Sequence, residues 1–393
     1  MRSEPLPKTA TDERAGRFIY IACPWTPKGG GMFKVADYLI QAQARLRPVG
    51  AAELRPLDTR GDANAAFSLW VLTTAIGKLI RGRLSGELAG VHVNMAERLS
   101  LFRKSAVVVT SRALGLPVVL HLHAAQLHHF YQDLPRPLQA LTRWVFSLPD
   151  SCVVLGHASR KFVCDTLGVS PERVEIIING VPEPTQPRRV AAFGQPQRVL
   201  FVGNLSERKG VSDLLQALAL PTFNRTGVDV TIAGGGDVKG YEEKARALGV
   251  DGFVHFAGWS DQDRVAHLMA EADLLVLPSY DEGLPLVILE ALANGVAVVC
   301  SPVGEIPSVL ADGVSAVFVA PGDIAGIASG LDKVLRQPDL RERLEKHGRT
   351  MYEQQFSLGR FFASVARVHK RHFGIAGQAR PNRVLPPSQE STS

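Results

Sequence analysis

Beginning at Phe18, short apolar runs rich in β-branched residues alternate with longer amphipathic stretches. This pattern predicts parallel strands covered by helices. In the first half the predicted strands are Phe18–Cys23, Gly90–Asn94, Pro117–His123, Ser151–Leu155 and Val174–Ile178. The alternation then stops. Val181–Gln197 holds Pro182, Pro184, Pro187 and Pro196 without a hydrophobic period, which suits a linker. It restarts at Arg198–Gly203 and continues through Val228–Ala233, Gly252–Phe256, Asp273–Pro278, Val296–Cys300 and Ala316–Val319, with a helical segment fitting each gap. An amphipathic stretch, Phe361–Phe373, follows Ser357, and the tail beyond it is rich in Gly, Pro, Ser and Gln. The expected organisation is a disordered N-terminus over 1–15, a first α/β domain over 16–182 and a linker over 183–197. A second α/β domain spans 198–356, a C-terminal helix packing back on the first domain spans 357–373, and a disordered tail spans 374–393. No repeat of solenoid length is visible, although the two halves share one architecture. Doubly wound domains bind ligands at the carboxyl ends of their strands, so a cleft between two facing domains is the expected site.

A chain of 393 residues is comfortable for two cores, and its 46% apolar and 21% charged content is that of an ordinary globular protein. No apolar run approaches the ~18 residues of a membrane span. Phe18–Cys23 is short and broken by Pro24, so it reads as a strand and not as a signal peptide. Cys23, Cys152, Cys164 and Cys300 lack C-x-x-C spacing, which suits reduced thiols in a cytoplasmic protein. The net charge of +6 suits a diphosphate or an acidic membrane surface, and equally a solvated basic face. No nucleic-acid-binding signature accompanies it.

The sharpest chemical signal is Asp281-Glu-Gly-Leu-Pro-Leu-Val-Ile-Leu-Glu290-Ala-Leu-Ala-Asn-Gly295, directly after the apolar strand. Pro285 suits the first turn of a helix and Gly295 its stop. Glu290 interrupts an otherwise apolar helix, and an unpaired carboxylate there costs several kcal/mol, so it needs donors. A neighbouring loop amide or the hydroxyls of a sugar or ribose meet that need equally. Glu282 lies at the strand-to-helix turn, where free amides attract a phosphate. A second strand–loop–helix passage, Phe201-Val-Gly-Asn-Leu-Ser-Glu-Arg-Lys-Gly210, puts Arg208 and Lys209 at a helix entrance. That position disfavours cations unless an anion shares it.

The glycine loops Lys28–Gly31 and Gly234–Gly236 allow close backbone approach but lack the dinucleotide fingerprint. His121, His123, His128 and His129 have too few acidic companions for a metal site. A hydrogen-bonding role at the cleft is expected for His123, with His92 and Asn94 on the same rim. Asp261-Gln-Asp263 reads as a helix cap.

At these residues the chain resembles the family 4 glycosyltransferases, retaining enzymes of the GT-B fold. The resemblance runs from Phe18 to Phe373 and is strongest from Val199 to Asp323. The family's glutamate pair is matched by Glu282 and Glu290, with Gly283, Leu284 and Pro285 between. Its diphosphate-gripping lysine-glycine is matched by Lys209-Gly210, its nucleotide-side glycines by Gly234–Gly236, and its N-domain glycine loop by Gly29–Gly31. Its strand-end histidine is matched by His123, and Phe256-Ala-Gly258 and Val303-Gly-Glu305 match further turns. The chain departs from the family at Asn204, where members commonly carry an arginine, and Arg208 then takes up the phosphate role beside Lys209.

The resemblance implies two facing Rossmann-like doubly wound domains and metal-independent transfer without a cofactor. It assigns Glu282, His123 and Lys209 to catalysis, and Gly30, Gly31, Arg208, Lys209, Gly235, Gly283, Leu284, Pro285 and Glu290 to the donor. Within the family it points to exopolysaccharide α-mannosyltransferases that use GDP-mannose and a polyprenyl-diphosphate-linked oligosaccharide. Gln126–Leu148, which mixes Phe130, Tyr131, Trp144 and Phe146 with Arg136 and Arg143, suits an anionic inner-membrane surface. So do Lys78, Arg81, Arg83, Arg98, Arg103 and Lys104. A core-facing helix with snorkelling arginines explains the same stretch. Other nucleotide sugars with a soluble acceptor, a GT-B sugar-nucleotide epimerase and a non-catalytic GT-B scaffold remain alternatives.

Overall fold

The computed structural model describes residues 17–26, 30–46, 52–189 and 195–374. The polar N-terminus, most of the tail, residues 28 and 29 of the glycine loop, and 190–194 of the linker lie outside the described residues. Two six-stranded parallel sheets carry the architecture. The first holds β1 (Phe18–Cys23), β2 (Glu53–Asp58), β3 (Leu88–Met95), β4 (Val118–Leu122), β5 (Ser151–Val154) and β6 (Val174–Ile176) in the order β2-β1-β3-β4-β5-β6. The second holds β7 (Gln197–Val202), β8 (Val228–Ala233), β9 (Val254–Gly258), β10 (Leu274–Leu277), β11 (Ala297–Cys300) and β12 (Val317–Phe318) in the order β12-β11-β10-β7-β8-β9. This is the two-domain, Rossmann-like GT-B architecture. Central strands are buried on both faces: every residue of β3, β4, β10 and β11 is buried, and β10 and β11 read as continuous apolar runs, whereas β3 and β4 also bury His92, Asn94 and His121.

Strand order fixes where ligands can sit. In each sheet the winding reverses once, between β1 and β3 in the first and between β7 and β10 in the second. The loops leaving those strands part in opposite directions and open a crevice. The crevices of the two sheets face each other.

β2 departs furthest from the continuous apolar run of the central strands. β2 carries Glu53, Arg55 and Asp58 and contains Pro56, and only Leu54 and Leu57 turn inward. It lies at the edge of its sheet, the position that tolerates a residue without an N–H.

The chain crosses between domains twice. Val181 N donates to Phe356 O at 2.9 Å and Leu358 N to Val181 O at 2.9 Å, so the two crossings are bonded to each other. The helix Leu358–Phe373 then packs on the first domain against helix Gly30–Leu46 and β4. Its last aromatic, Phe373, occupies the space a side chain at Gly90 would take. From it His369 reaches into the first sheet, where His369 Nε2 and His92 Nδ1 are 2.8 Å apart and His92 Nε2 and His121 Nδ1 are 3.2 Å apart. His92 is thus wholly interior and not on the cleft rim.

Lys104 also departs from expectation. Grouped by sequence with a basic outer face, it is 1% exposed and donates to Thr59 Oγ1. Burial lowers its pKa to about 7. It contributes nothing to a surface charge patch.

Burial depresses His92 to about 3 and holds His121 and His369 well below the usual range. The folded protein therefore refuses protons that the unfolded chain accepts near pH 6.5. This contribution to stability is complete above that pH and is lost progressively as pH falls below it. Urea midpoints measured at pH 7.5, 6 and 5 should fall steadily, and His92→Gln should flatten the slope. A midpoint independent of pH below 6.5 would show that these imidazoles titrate normally.

Candidate active site

The facing crevices form one cleft of about 1510 Å³. The loop after β7 tightens into the single turn Glu207–Lys209 and ends at Gly210, whose φ of +68° favours glycine. A side chain there would also strike the carbonyl of Pro278 in the loop after β10. The two loops are therefore packed together, and Tyr280 N donates to Arg208 O at 2.8 Å. Lys209 Nζ pairs with Glu282 Oε1, and Glu282 is 7% exposed. Arg208 is exposed on the rim and donates from Nη1 to Asp281 O at 2.6 Å. Asn204, also exposed, faces the same space. The two cations and Glu282 are brought together by sequence-distant loops because β7 and β10 are neighbours in the sheet.

The helix carrying Glu290 runs Leu286–Ala293. Pro285 is its N-cap, one position earlier than a first-turn proline, and Gly295 ends it with φ +63°. Gly283, Leu284 and Pro285 line the cleft at its entrance. The turn Val303–Glu305 braces this entrance, since Glu305 N donates to Gly283 O at 3.0 Å and a side chain at Gly304 would meet Glu282 O.

Glu290 finds its donors in neither a loop amide nor its own domain. Lys34 Nζ stands 2.9 Å from Oε1 and the Tyr38 hydroxyl 3.4 Å from the same oxygen, both from helix Gly30–Leu46 across the cleft. Gly31 lies against Leu286 at the foot of that contact, and Gly30 opens the helix with φ +66°. Sequence reasoning missed Lys34 and Tyr38. The available signal was their i, i+4 spacing directly after the glycine loop, which puts both on one helix face.

A second carboxylate crosses the interface. Glu305, 2% exposed, accepts from Ser159 N at 2.6 Å and Ala158 N at 3.3 Å, the free amides that open helix His157–Lys161 of the first domain. Gly156 leaves room for it, because any side chain there would overlap the carboxylate. The sequence marked Glu305 only as part of a turn.

His123 sits at the end of β4 on the cleft, partly covered, with Nε2 2.8 Å from Asn94 Oδ1. Burial, then the neighbouring His92, lowers it to about 3, so it is a neutral hydrogen-bonding imidazole at physiological pH. Gly235 lines the opposite end beside Trp259, and Leu205 N donates to its carbonyl at 2.7 Å. Asp261 caps the next helix, accepting from Arg264 N at 2.8 Å. Among the described residues no group of three or more His, Cys, Asp or Glu is arranged to hold a metal.

Residues 183–351 match the family model for glycosyl transferases group 1, and residues 73–183 match glycosyltransferase family 4. The glycogen synthase of Mycobacterium tuberculosis is 30% identical over 288 residues, covering 71% of this chain and 68% of that enzyme. The MMP α-(1→4)-mannosyltransferase of Mycolicibacterium hassiacum is 29% identical over 223 residues, 56% of this chain and 53% of its own. Among solved structures, Anabaena HepE in complex with UDP-glucose superposes with a TM-score of 0.70 at 17% identity, over 90% of this chain and 99% of that one. Fold, cleft and sequence kinship agree: the chain belongs to the group 1, family 4 glycosyltransferases and is a glycosyltransferase enzyme of the GT-B fold.

Proposed function

We propose that the enzyme transfers a hexose, with retention of anomeric configuration, from a nucleoside diphosphate sugar to a polyprenyl-diphosphate-linked oligosaccharide in exopolysaccharide synthesis. GDP-mannose is the proposed donor, on the motif resemblance to GDP-mannose-using transferases. The observation that carries the donor side is the convergence of Arg208, Lys209, Glu282, Glu290 and the helix entrance at Gly283–Pro285 on one cleft. In this reading the diphosphate lies between the two cations and the helix amides, which stabilise the charge that develops as the sugar leaves. Glu282 and Glu290 accept bonds from donor hydroxyls. His123, neutral and fixed by Asn94, donates or accepts a hydrogen bond at the sugar. A donor phosphate oxygen takes the acceptor proton on the same face, so the reaction runs without a metal.

The acceptor side rests on the outer face of the first domain. Helices Ala65–Leu84, Leu99–Ala113 and Arg136–Ser147 are neighbours and expose Leu69, Trp70, Leu84, Phe102, Leu141 and Trp144. Trp70 is 60% and Leu84 83% exposed. Lys78, Arg81, Arg83, Arg136 and Arg143 are exposed on the same helices. Apolar rings framed by cations suit the headgroup region of an anionic bilayer. No helix among the described residues is long and apolar enough to cross a membrane. On that exposed apolar and cationic face, the proposed location is peripheral, on the cytoplasmic face of the inner membrane, and no nucleic-acid partner is proposed.

Calorimetric titration of GDP and UDP should show Lys209→Ala weakening binding by about 30-fold, about 2 kcal/mol, because the substitution removes a charge-assisted contact and strands Glu282. Arg208→Ala should weaken it by at least about 5-fold through loss of its own charge-assisted contact. Unchanged affinity in Lys209→Ala would place the diphosphate elsewhere. Transfer should continue in EDTA; loss on chelation with rescue by one divalent ion would overturn the metal-free mechanism. In vesicle sedimentation the protein should bind phosphatidylglycerol but not phosphatidylcholine, and the pair Trp70→Ser and Leu84→Ser should release it. Equal recovery with and without anionic lipid would remove the membrane from the reading.

A further inference from the structure

Glu290 projects from an apolar helix and is met by the opposite wall of the cleft. Lys34 Nζ and the Tyr38 hydroxyl both converge on Oε1, at 2.9 and 3.4 Å. Among the described residues no donor meets Oε2. The ion pair is largely withdrawn from water, the Lys34 and Glu290 side chains being 22% and 15% exposed. Tyr38 is buried behind it. Burial first, and then the negative charge of Glu290, raises its hydroxyl above the ordinary range, so it stays protonated and donates. The two donors are one helical turn apart, so a single face of helix Gly30–Leu46 delivers both.

We propose that Lys34, backed by Tyr38, is a positioning residue for Glu290. It anchors Oε1 and leaves Oε2 aimed into the cleft for hydroxyls of the nucleotide-sugar donor. The inference rests on the donor-site reading above. A glutamate free to rotate about its side-chain torsions must be ordered by the donor itself, which costs affinity. Anchored beforehand from the facing domain, it is ready to accept. Tyr38 alone, neutral and at longer range, is a weaker anchor than an ammonium group. The donor pocket of the second domain is therefore completed by a residue of the first, and separating the domains dismantles it.

The test titrates GDP and UDP against the full chain in wild type, Lys34→Met, Lys34→Arg, Glu290→Gln and the Lys34→Met/Glu290→Gln double variant. Lys34→Met should weaken the tighter nucleotide by about 10-fold, and Lys34→Arg should recover to within about 3-fold of wild type. The double variant should bind no worse than Glu290→Gln alone, because Lys34 acts through that carboxylate. Lys34→Gln replaces the methionine variant if the latter does not fold. Additive losses in the double variant would mean that Lys34 touches the nucleotide directly, overturning the positioning role. Full affinity in Lys34→Met beside weakened Glu290→Gln would overturn it too, with the donor site intact. Full affinity in Glu290→Gln would remove the donor-site reading and this inference together.

Discussion

A carboxylate taken out of water must be given donors, and in this protein that requirement ties the two domains to each other. Glu305 and Glu290 both belong to the second domain and both find their partners in the first. Glu305 answers the free amides at the start of a helix, and Glu290 answers an ammonium and a hydroxyl on another. Removing either set leaves charge buried without compensation, a loss that commonly exceeds the net worth of the bond. Together with the paired chain crossings at Val181 and at Phe356 and Leu358, these two contacts tie the domains to each other across the cleft. Glu282 obeys the same rule within one domain, where its partner Lys209 comes from the adjacent loop.

The chemistry gathers where it does because each sheet reverses its winding once. Loops after β7 and β10 are far apart in sequence and adjacent in space, so a lysine at 209 and a glutamate at 282 meet. The corresponding reversal in the first sheet directs the loops after β1 and β3 toward the same cleft. Glycines without side-chain volume, such as Gly210 and Gly304, let these loops pack at distances that any larger residue would forbid.

Much of this was legible from residue order. Buried parallel strands announce themselves as apolar runs, and β8 lies at Val228–Ala233 as expected. The helix after β10, its single acid and the cationic turn after β7 were also visible locally, because each rests on neighbours in the chain. What escaped depends on partners remote in sequence. β2 is polar and contains proline, and only its edge position makes that acceptable. Lys104 and His92 look like surface and rim residues, yet both are interior, and composition does not distinguish a buried lysine from a solvated one. Lys34 and Tyr38 sit in an unremarkable amphipathic helix, and their purpose is set by a glutamate more than two hundred residues away. Glu305 is legible only once the helix it caps is in place.

The return of the last helix to the first domain has a consequence for synthesis. Phe373, His369 and their neighbours cover part of the first sheet, filling the space over Gly90 and completing the histidine chain begun by His92 and His121. A nascent chain that has already emitted the whole of β1 to β6 therefore still lacks its final layer. Domains generally fold as units during translation, the N-terminal one first. Here the first domain waits with an uncovered apolar and imidazole-lined surface until residue 373 has left the ribosome. Truncation just upstream of that helix accordingly exposes a sticky face on the domain that was made earliest, and a chaperone that shields exposed apolar surface would find its occasion there.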